Sequence, residues 1–409
     1  MAIKLLILTQ YFPPEVGAPQ NRLYELAVRL KNKGVDVSIL TAMPNYPKME
    51  VQKEYAGKKY VYEESEGLKI HRSWIYVSKR KGIIKRLLNY FSFVCSSAWY
   101  GKRKIGDVDF ILCESPPLFL GYSALRLAKN KKAKLIFNVS DLWPESAEKL
   151  GVVTNSSMLK MAYDLEEKLY KASVLVSGQT QGICQNINQR FPQVKTYWLP
   201  NGVDMNYYNP QQIAAGDFRI NNNINQNDFV FLYAGIIGLA QGLEIILEAA
   251  KAVKDKPNLK FVLLGNGPEK LRLIELQKQY GLSNVIFIDF VPKSQMPQVL
   301  KSVNTAIIPL KKLDLFKGAI PSKIFESLAM ELPILLGVDG EARDLFIHKG
   351  QCGLYFEPEN VNELVKAVID VSSDYTKAKQ LGVNGRNYVN QNFNRDTIAE
   401  KFYNQLIQL

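Results

Sequence analysis

The chain has 409 residues, 47% hydrophobic and 22% charged, with a formal net charge of +13. At about 100–200 residues per domain, that is two or three domains of ordinary soluble composition. A disordered chain, a collagen-like chain and a polytopic membrane protein are excluded. Cys95, Cys113, Cys184 and Cys352 are far apart with no CxxC pair. Neither a zinc site nor a disulfide framework is expected, and a reducing cytosol fits.

In chain order, 3–8 reads as a buried strand and 21–33 as a helix with Leu23, Leu26, Ala27 and Leu30 on one face. The opening run is too short for a signal peptide, and Pro13-Pro14 follow it. Further strands are expected at 35–40, 110–113, 135–139, 174–177 and 196–199, with helices between them. A turn cluster, Pro200-Asn201-Gly202-Val203-Asp204, and a polar stretch over 211–228 then break the pattern. A second series follows, with strands at 229–233, 261–264, 285–288, 306–308, 334–336 and 353–356. Its helices are expected at 243–253, 269–280 and through 360–408. No apolar run reaches the roughly 18 residues of a spanning helix.

Strand–helix alternation predicts parallel sheets covered on both faces. The fold class expected is α/β, two doubly wound Rossmann-like domains facing a cleft. The first spans 1–200 and the second 201–390, with a C-terminal helix over 391–409 packing back toward the first. Ligands of such sheets bind beyond the carboxyl ends of the strands, so the loops 9–20, 140–145, 234–243, 265–268 and 309–323 matter most.

The charge is uneven between these halves. Residues 1–200 hold 30 Lys and Arg against 17 Asp and Glu, whereas 201–409 hold 22 of each. Residues 67–106 contain ten basic residues and no acid. Anionic lipid, nucleic acid or a phosphorylated substrate is the implied partner. Lys79, Arg80, Lys81, Lys85 and Arg86 flank the apolar, aromatic run with Leu87, Leu88 and Phe91, and Lys102-Arg103-Lys104 close it. This pattern predicts an interfacial helix on an anionic membrane, where each cation near the surface contributes about 1 kcal/mol. No nucleic-acid motif accompanies the charge.

Gly17, between strand and helix, lets backbone amides approach an anion. The loop is not GxGxxG, so a dinucleotide oxidoreductase is not supported. Gly235, Gly238 and Gly242 form a second glycine-rich turn without a Lys or Arg, and Gly265-Asn266-Gly267-Pro268 a third. The most informative stretch is 316–330. Ser322 can cap the following helix, which places Lys323 in its first turn and Glu326 one turn on. A lysine there opposes the helix dipole, and a bound anion would compensate. Lys323 for a diphosphate and Glu326 for a ribose fit a sugar nucleotide.

Five segments carry a resemblance: Pro13–Ala18, the Pro-Asn-Gly-Val-Asp linker at 200–204, Tyr-Ala-Gly at 233–235, Gly-x-Gly-Pro at 265–268, and Lys323…Glu326-x-x-Ala329-Met330. Over nearly its whole length the chain resembles the family 4 retaining GT-B glycosyltransferases. Within them it is most similar to bacterial surface-polysaccharide enzymes that include acetamido-fucose transferases. The resemblance implies that Glu326 binds the donor ribose. The family's other glutamate falls at Gly318, so backbone amides over 318–321, including Ile320, Pro321 and Ser322, would replace a carboxylate contact. Its usual basic residue in the glycine loop falls near Gln241, leaving Lys323 as the diphosphate charge. Phe290 and Val291 resemble the place where the family holds the base. Asp141, after the 135–139 strand, is the acid best placed for acceptor deprotonation or sugar contact.

The function expected is transfer of an N-acetylated deoxyhexose or hexosamine from a UDP-sugar to a polyprenyl-diphosphate-linked saccharide. It would occur at the inner face of the cytoplasmic membrane in O-antigen or capsule synthesis. The anomeric configuration is retained, and no cofactor or metal is expected. The alternatives are a transferase using a GDP-hexose such as GDP-mannose, a UDP-GlcNAc epimerase of the same fold, and a non-catalytic sugar-nucleotide sensor.

Overall fold

A computed structural model describes residues 2–15, 17–46, 48–79, 82–149, 151, 153–214 and 216–409. The chain divides into two compact units, Met1–Asn201 with Arg395–Leu409, and Gly202–Asn394. Both are the Rossmann-like α/β units that the strand–helix alternation predicts.

The first unit is built on an eight-stranded sheet: β1 (Lys4–Leu8), β2 (Asp36–Ala42), β3 (Tyr60–Ser65), β4 (Leu68–Ser73), β5 (Phe110–Ser115), β6 (Lys134–Val139), β7 (Leu175–Gly178) and β8 (Thr196–Trp198). Its spatial order is β3-β4-β2-β1-β5-β6-β7-β8. Every pairing is parallel except the edge hairpin β3–β4. Helices α1 (Ala18–Asn32), α2 (Ile83–Lys104), α3 (Leu120–Lys131), α4 (Ser156–Ala172) and α5 (Gln181–Arg190) accompany it. Leu5, Leu6, Ile7 and Leu8 are fully buried, as a strand with helices on both faces requires.

The β3–β4 hairpin is absent from the sequence expectation, because charges interrupt its apolar pattern. Arg72 on β4 is 2% exposed and donates from Nε to Glu63 on β3 at 2.5 Å. The His71 Nδ1 and Tyr60 hydroxyl lie 2.7 Å apart. Paired charges can enter a strand that periodicity alone would reject.

Helix α2 corrects part of the membrane expectation. Leu87 and Phe91 pack against the core, with Phe93 and Val94 fully within it. The Phe91 ring lies 5.0 Å from that of Phe119. The apolar stripe serves the fold, while Leu88 and Trp99 stay exposed. Several cations find partners: Lys79 with Glu50 at 2.6 Å, Lys85 with the Tyr76 hydroxyl at 3.3 Å, and Arg86 with the Tyr90 hydroxyl at 3.1 Å. The Arg103 guanidinium stacks 3.3 Å over Trp99, and the Lys104 ammonium lies 5.5 Å from the Tyr60 ring. Lys102 is exposed. Arg80 and Lys81 lie outside the described residues. Among the described residues, no helix is long and apolar enough to cross a membrane.

The second unit holds β9 (Phe229–Ala234), β10 (Leu259–Leu264), β11 (Val285–Ile288), β12 (Thr305–Pro309), β13 (Ile334–Gly337) and β14 (Gly353–Tyr355). All are parallel, in the order β11-β10-β9-β12-β13-β14. Helices α6 (Glu244–Ala252), α7 (Lys270–Tyr280), α8 (Lys323–Ala329), α9 (Val361–Ser373) and α10 (Tyr375–Phe393) accompany them.

The chain re-enters the first unit at Arg395, four residues later than the sequence boundary, because α10 continues to Phe393. The returning helix, Arg395–Gln408, buries Ile398, Ala399, Phe402 and Leu406 in the core shared with α1. Arg29 of α1 bridges Asp396 at 2.6 Å, and Lys33 pairs with Glu400. Apolar burial supplies most of this attachment, since exposed pairs contribute at most about 1 kcal/mol. Phe402→Ala is expected to destabilise the first unit by about 3–5 kcal/mol, read as a shifted midpoint in urea unfolding.

Candidate functional site

Strand order in the second unit reverses at β9, which has β10 on one side and β12 on the other. A doubly wound sheet opens its ligand crevice at such a switch point. The loop after β9 and the segment after β12 meet there. Lys311 N donates to Ala240 O at 3.0 Å. Lys323, the first residue of α8, sends its ammonium over Tyr233 near the end of β9, 3.8 Å from the ring centroid.

Lys323 is half-buried and its ammonium has no hydrogen-bond acceptor among the described residues. Desolvation pushes its pKa down from 10.5 to about 7, with Glu326 pulling the other way. The Tyr233 phenol, also desolvated, titrates well above its ordinary value. A cation over an aromatic face gains some attraction, but not the directed bonds of a carboxylate. Ser322 does not cap α8, contrary to expectation. Its backbone is already helical (φ −60°, ψ −26°) and its side chain makes no cap bond, so its hydroxyl is not set toward the first-turn amides.

Two glycine loops form the floor. Gly235 N donates to Leu264 O, and Ile237 N to Asn266 O, both at 2.9 Å. A Cβ on Gly265 would stand 1.9 Å from Gly235 O, and one on Gly267 would stand 2.2 Å from Ile237 O. These glycines are required by loop-on-loop packing. Gly235 itself has φ +147°, and a Cβ there would lie 2.8 Å from Lys323 Nζ. Gly238 precedes, and Gln241 ends, the short turn Leu239–Gln241 that leads into α6. Lys270 of α7 ties this loop to the end of β11, with Nζ donating to Gly265 O at 3.0 Å, Asn266 Oδ1 at 3.1 Å and Asp289 Oδ1 at 2.6 Å. Next along, Phe290 is 62% exposed and Val291 half-buried.

Gly318 ends the turn Asp314–Gly318, and a Cβ there would meet nothing within 4 Å. Ile320 and Pro321 are half-buried and Ser322 exposed. The turn rests on the loop after β13, since a Cβ on Gly340 would stand 2.2 Å from Lys317 O. Glu326, half-buried, is close enough to act on the Lys323 charge.

The structure therefore groups Lys323, Glu326, Gly235, Gly265 and Gly267 in the second unit. Gly17 and Asp141 belong to the first unit. Gly17 precedes α1 with extended backbone and no side-chain cap bond. Glu15 beside it is buried and accepts from the amides of Phe12, Asn45 and Tyr46, while desolvation raises its pKa. Asp141 follows β6 and accepts from Ser146 Oγ at 3.0 Å. Desolvation raises its pKa against the Ser146 and Leu142 bonds that lower it.

Sequence reasoning missed two features. Tyr233 is a marker of the resemblance, but its pairing with Lys323 is invisible in the sequence. Arg22 and Glu114 form a buried ion pair at the strand ends of the first unit. Its signal is the lone acid closing the apolar run Phe110-Ile111-Leu112-Cys113-Glu114. Among the described residues, no three His, Cys, Asp or Glu side chains are grouped to hold a metal ion.

Residues 216–388 match the family model described as Glycosyl transferases group 1. The whole chain aligns with WcaI of Escherichia coli (strain K12), named as a glycosyl transferase of colanic acid biosynthesis. The identity is 24% over 424 residues, covering 99% of this chain and 100% of that protein. O-antigen chain mannosyltransferase C of Escherichia coli is 19% identical over 397 residues, covering 96% and 95%. In structure the chain is similar to Anabaena Alr3699/HepE, solved with UDP and glucose, at a TM-score of 0.73, 17% identity and full coverage of both chains. The fold is that of the GT-B enzymes, and the protein is a glycosyltransferase.

Gly267→Ala is expected to strain the loop pair by about 1–3 kcal/mol and lower the melting temperature. Gly318→Ala, which meets open space, is expected to melt close to the wild type in the same calorimetric scan.

Proposed function

We propose that this glycosyltransferase moves an N-acetylated deoxyhexose or hexosamine from a UDP-sugar to a polyprenyl-diphosphate-linked saccharide in surface-polysaccharide synthesis. The observation that carries the reading is the Lys323 ammonium, desolvated at the β9/β12 switch point and without an acceptor for its protons among the described residues. The colanic acid and O-antigen relatives support the pathway class. The UDP and glucose in the HepE structure support the donor class.

In this reading the diphosphate lies on the glycine loops, with Lys323 supplying charge and the amides of 318–321 supplying directed donors. Glu326 accepts from the ribose hydroxyls, and Phe290 and Val291 flank the base. Breaking the glycosidic bond builds negative charge on the departing UDP and an oxocarbenium-like sugar. Stabilising the leaving group is then the largest task. Transfer with retention follows if the departing phosphate takes the acceptor proton on the face it leaves. Asp141, with its raised pKa, is the acid assigned to the acceptor. The open space at Gly318 leaves room for a substituent on the donor sugar. The exposed Leu88 and Trp99, with Lys102 and Arg103 beside them, form the face of α2 proposed to meet an anionic membrane.

A GDP-mannose donor is the second reading, favoured by the mannosyltransferase among the relatives. A panel of UDP- and GDP-sugars in thermal-shift assays decides between them, because stabilisation tracks affinity. UDP release measured with and without a lipid-linked acceptor separates transfer from epimerisation.

Lys323→Ala is expected to abolish stabilisation by UDP; unchanged stabilisation would defeat the reading. UDP affinity in the wild type should fall as pH rises from about 7 to about 9, as the ammonium loses its proton. Free protein should move the other way. The unfolded chain keeps the proton that folded Lys323 gives up, so stability rises with pH from about 7 toward 10.5. Isothermal titration and urea melts across that range read both signs. The proposed chemistry draws on no metal, so transfer should persist in excess EDTA.

A further inference from the structure

The donor site leaves a second charged cluster unused, at the carboxyl ends of β1 and β5. Arg22, one turn into α1, is 7% exposed and Glu114 on β5 only 3%. Arg22 Nη2 donates to Glu114 Oε1 at 2.7 Å, to Oε2 at 2.8 Å and to Ser140 Oγ at 2.9 Å. Asn138 Nδ2 donates to Glu114 Oε2 at 2.7 Å, and the Ser140 hydroxyl donates to Oε1. The Ser177 hydroxyl donates to Asn138 Oδ1 at 2.7 Å, fixing which way that amide points. The carboxylate is thus surrounded by donors.

The guanidinium is not so matched. All three of its bonds leave from one nitrogen, and Nε and Nη1, with three N–H groups, find no acceptor among the described residues. The side chain is buried without being fully sealed from solvent. A buried ion pair gains little over an apolar pair of equal volume. An arginine kept for structure alone would be expected to satisfy its whole fork. The location adds to this. Strand order in the first unit reverses between β1 and β5, so Arg22 stands at the switch point of its own sheet.

We propose that Arg22, clamped through Nη2 by Glu114, binds a phosphoryl group of a substrate with the free N–H groups of Nε and Nη1. The inference rests on the reading of a transferase acting between phosphorylated substrates. N–H donors fixed in one plane meet phosphate oxygens with a direction that a point charge lacks. Clamping through Nη2 fixes those donors before the ligand arrives. Glu114 touches no ligand and is a positioning residue. Two substrates carry this chemistry, the donor's nucleotide diphosphate and the diphosphate of a lipid-linked acceptor.

The test is isothermal titration of the full chain with UDP and, separately, with geranyl diphosphate, each variant first checked by circular dichroism. Arg22→Gln is expected to weaken at least one ligand about tenfold or more, with Arg22→Lys recovering part of the loss. A loss confined to geranyl diphosphate assigns the acceptor phosphate, and one confined to UDP assigns the donor phosphate. Should Arg22→Gln fail to fold, Arg22→Met with Glu114→Leu removes both charges at similar volume and must show the same loss. Unchanged affinity for both ligands in either folded variant overturns the proposal, as does a wild type that binds neither. Lys323→Ala is titrated alongside. UDP binding that ignores Lys323 but responds to Arg22 defeats the donor-site reading while this one stands.

Discussion

A positive charge held over an aromatic ring, with desolvation pulling its pKa down to about 7, is the constraint around which the second unit is organised. Tyr233 offers the Lys323 ammonium a π face but no acceptor for its protons. Glu326, one turn along α8, favours the charged form without removing the cost of burial. A group in this condition is stabilised by whatever brings it negative charge. The free protein therefore carries a local disadvantage that the proposed anionic ligand would reverse, which would tie ligand affinity to the protonation of one side chain.

The backbone around that ammonium is fixed by close approach. Gly265 and Gly267 let the loop after β10 lie directly on the loop after β9, and Gly340 lets the loop after β13 lie on the 314–318 turn. Lys270 draws the end of β11 into the same assembly through Asp289. The loops are thereby held as one rim, so their backbone amides are ordered in advance of any ligand. Pre-ordering matters because charge stabilisation in a transition state is strongest where no reorganisation is needed. The first unit repeats the plan with a different cation. Arg22 is bound to Glu114 at the reversal of its own sheet, whereas the carboxylate that acts on Lys323 is Glu326 of its own helix.

Much of this was legible in the residues. Apolar runs such as Leu5–Leu8 and Phe261–Leu264 announce buried parallel strands, and Pro200–Asp204 announces the change of unit. Lys323 stands out because a lysine opening a helix is locally unfavourable. Other features stayed hidden for physical reasons. The β3–β4 hairpin carries Arg72 and His71 inward, compensated by Glu63 and Tyr60 on the neighbouring strand, and a partner across a sheet leaves no local mark. Helix α2 has one apolar stripe that suits a core and a membrane equally well. Only packing shows that Leu87 and Phe91 face the core while Leu88 and Trp99 face out. Arg22 and Glu114 are 92 residues apart, a separation no periodicity can bridge.

The most direct measurement is the titration of the Lys323 Nζ itself, followed by lysine-selective nitrogen NMR in the free protein and in the presence of saturating UDP. The account predicts a free-state pKa near 7 that moves upward by more than one unit when the nucleotide binds. A Lys323 that titrates near its ordinary value of 10.5, or one whose titration ignores the nucleotide, would contradict it.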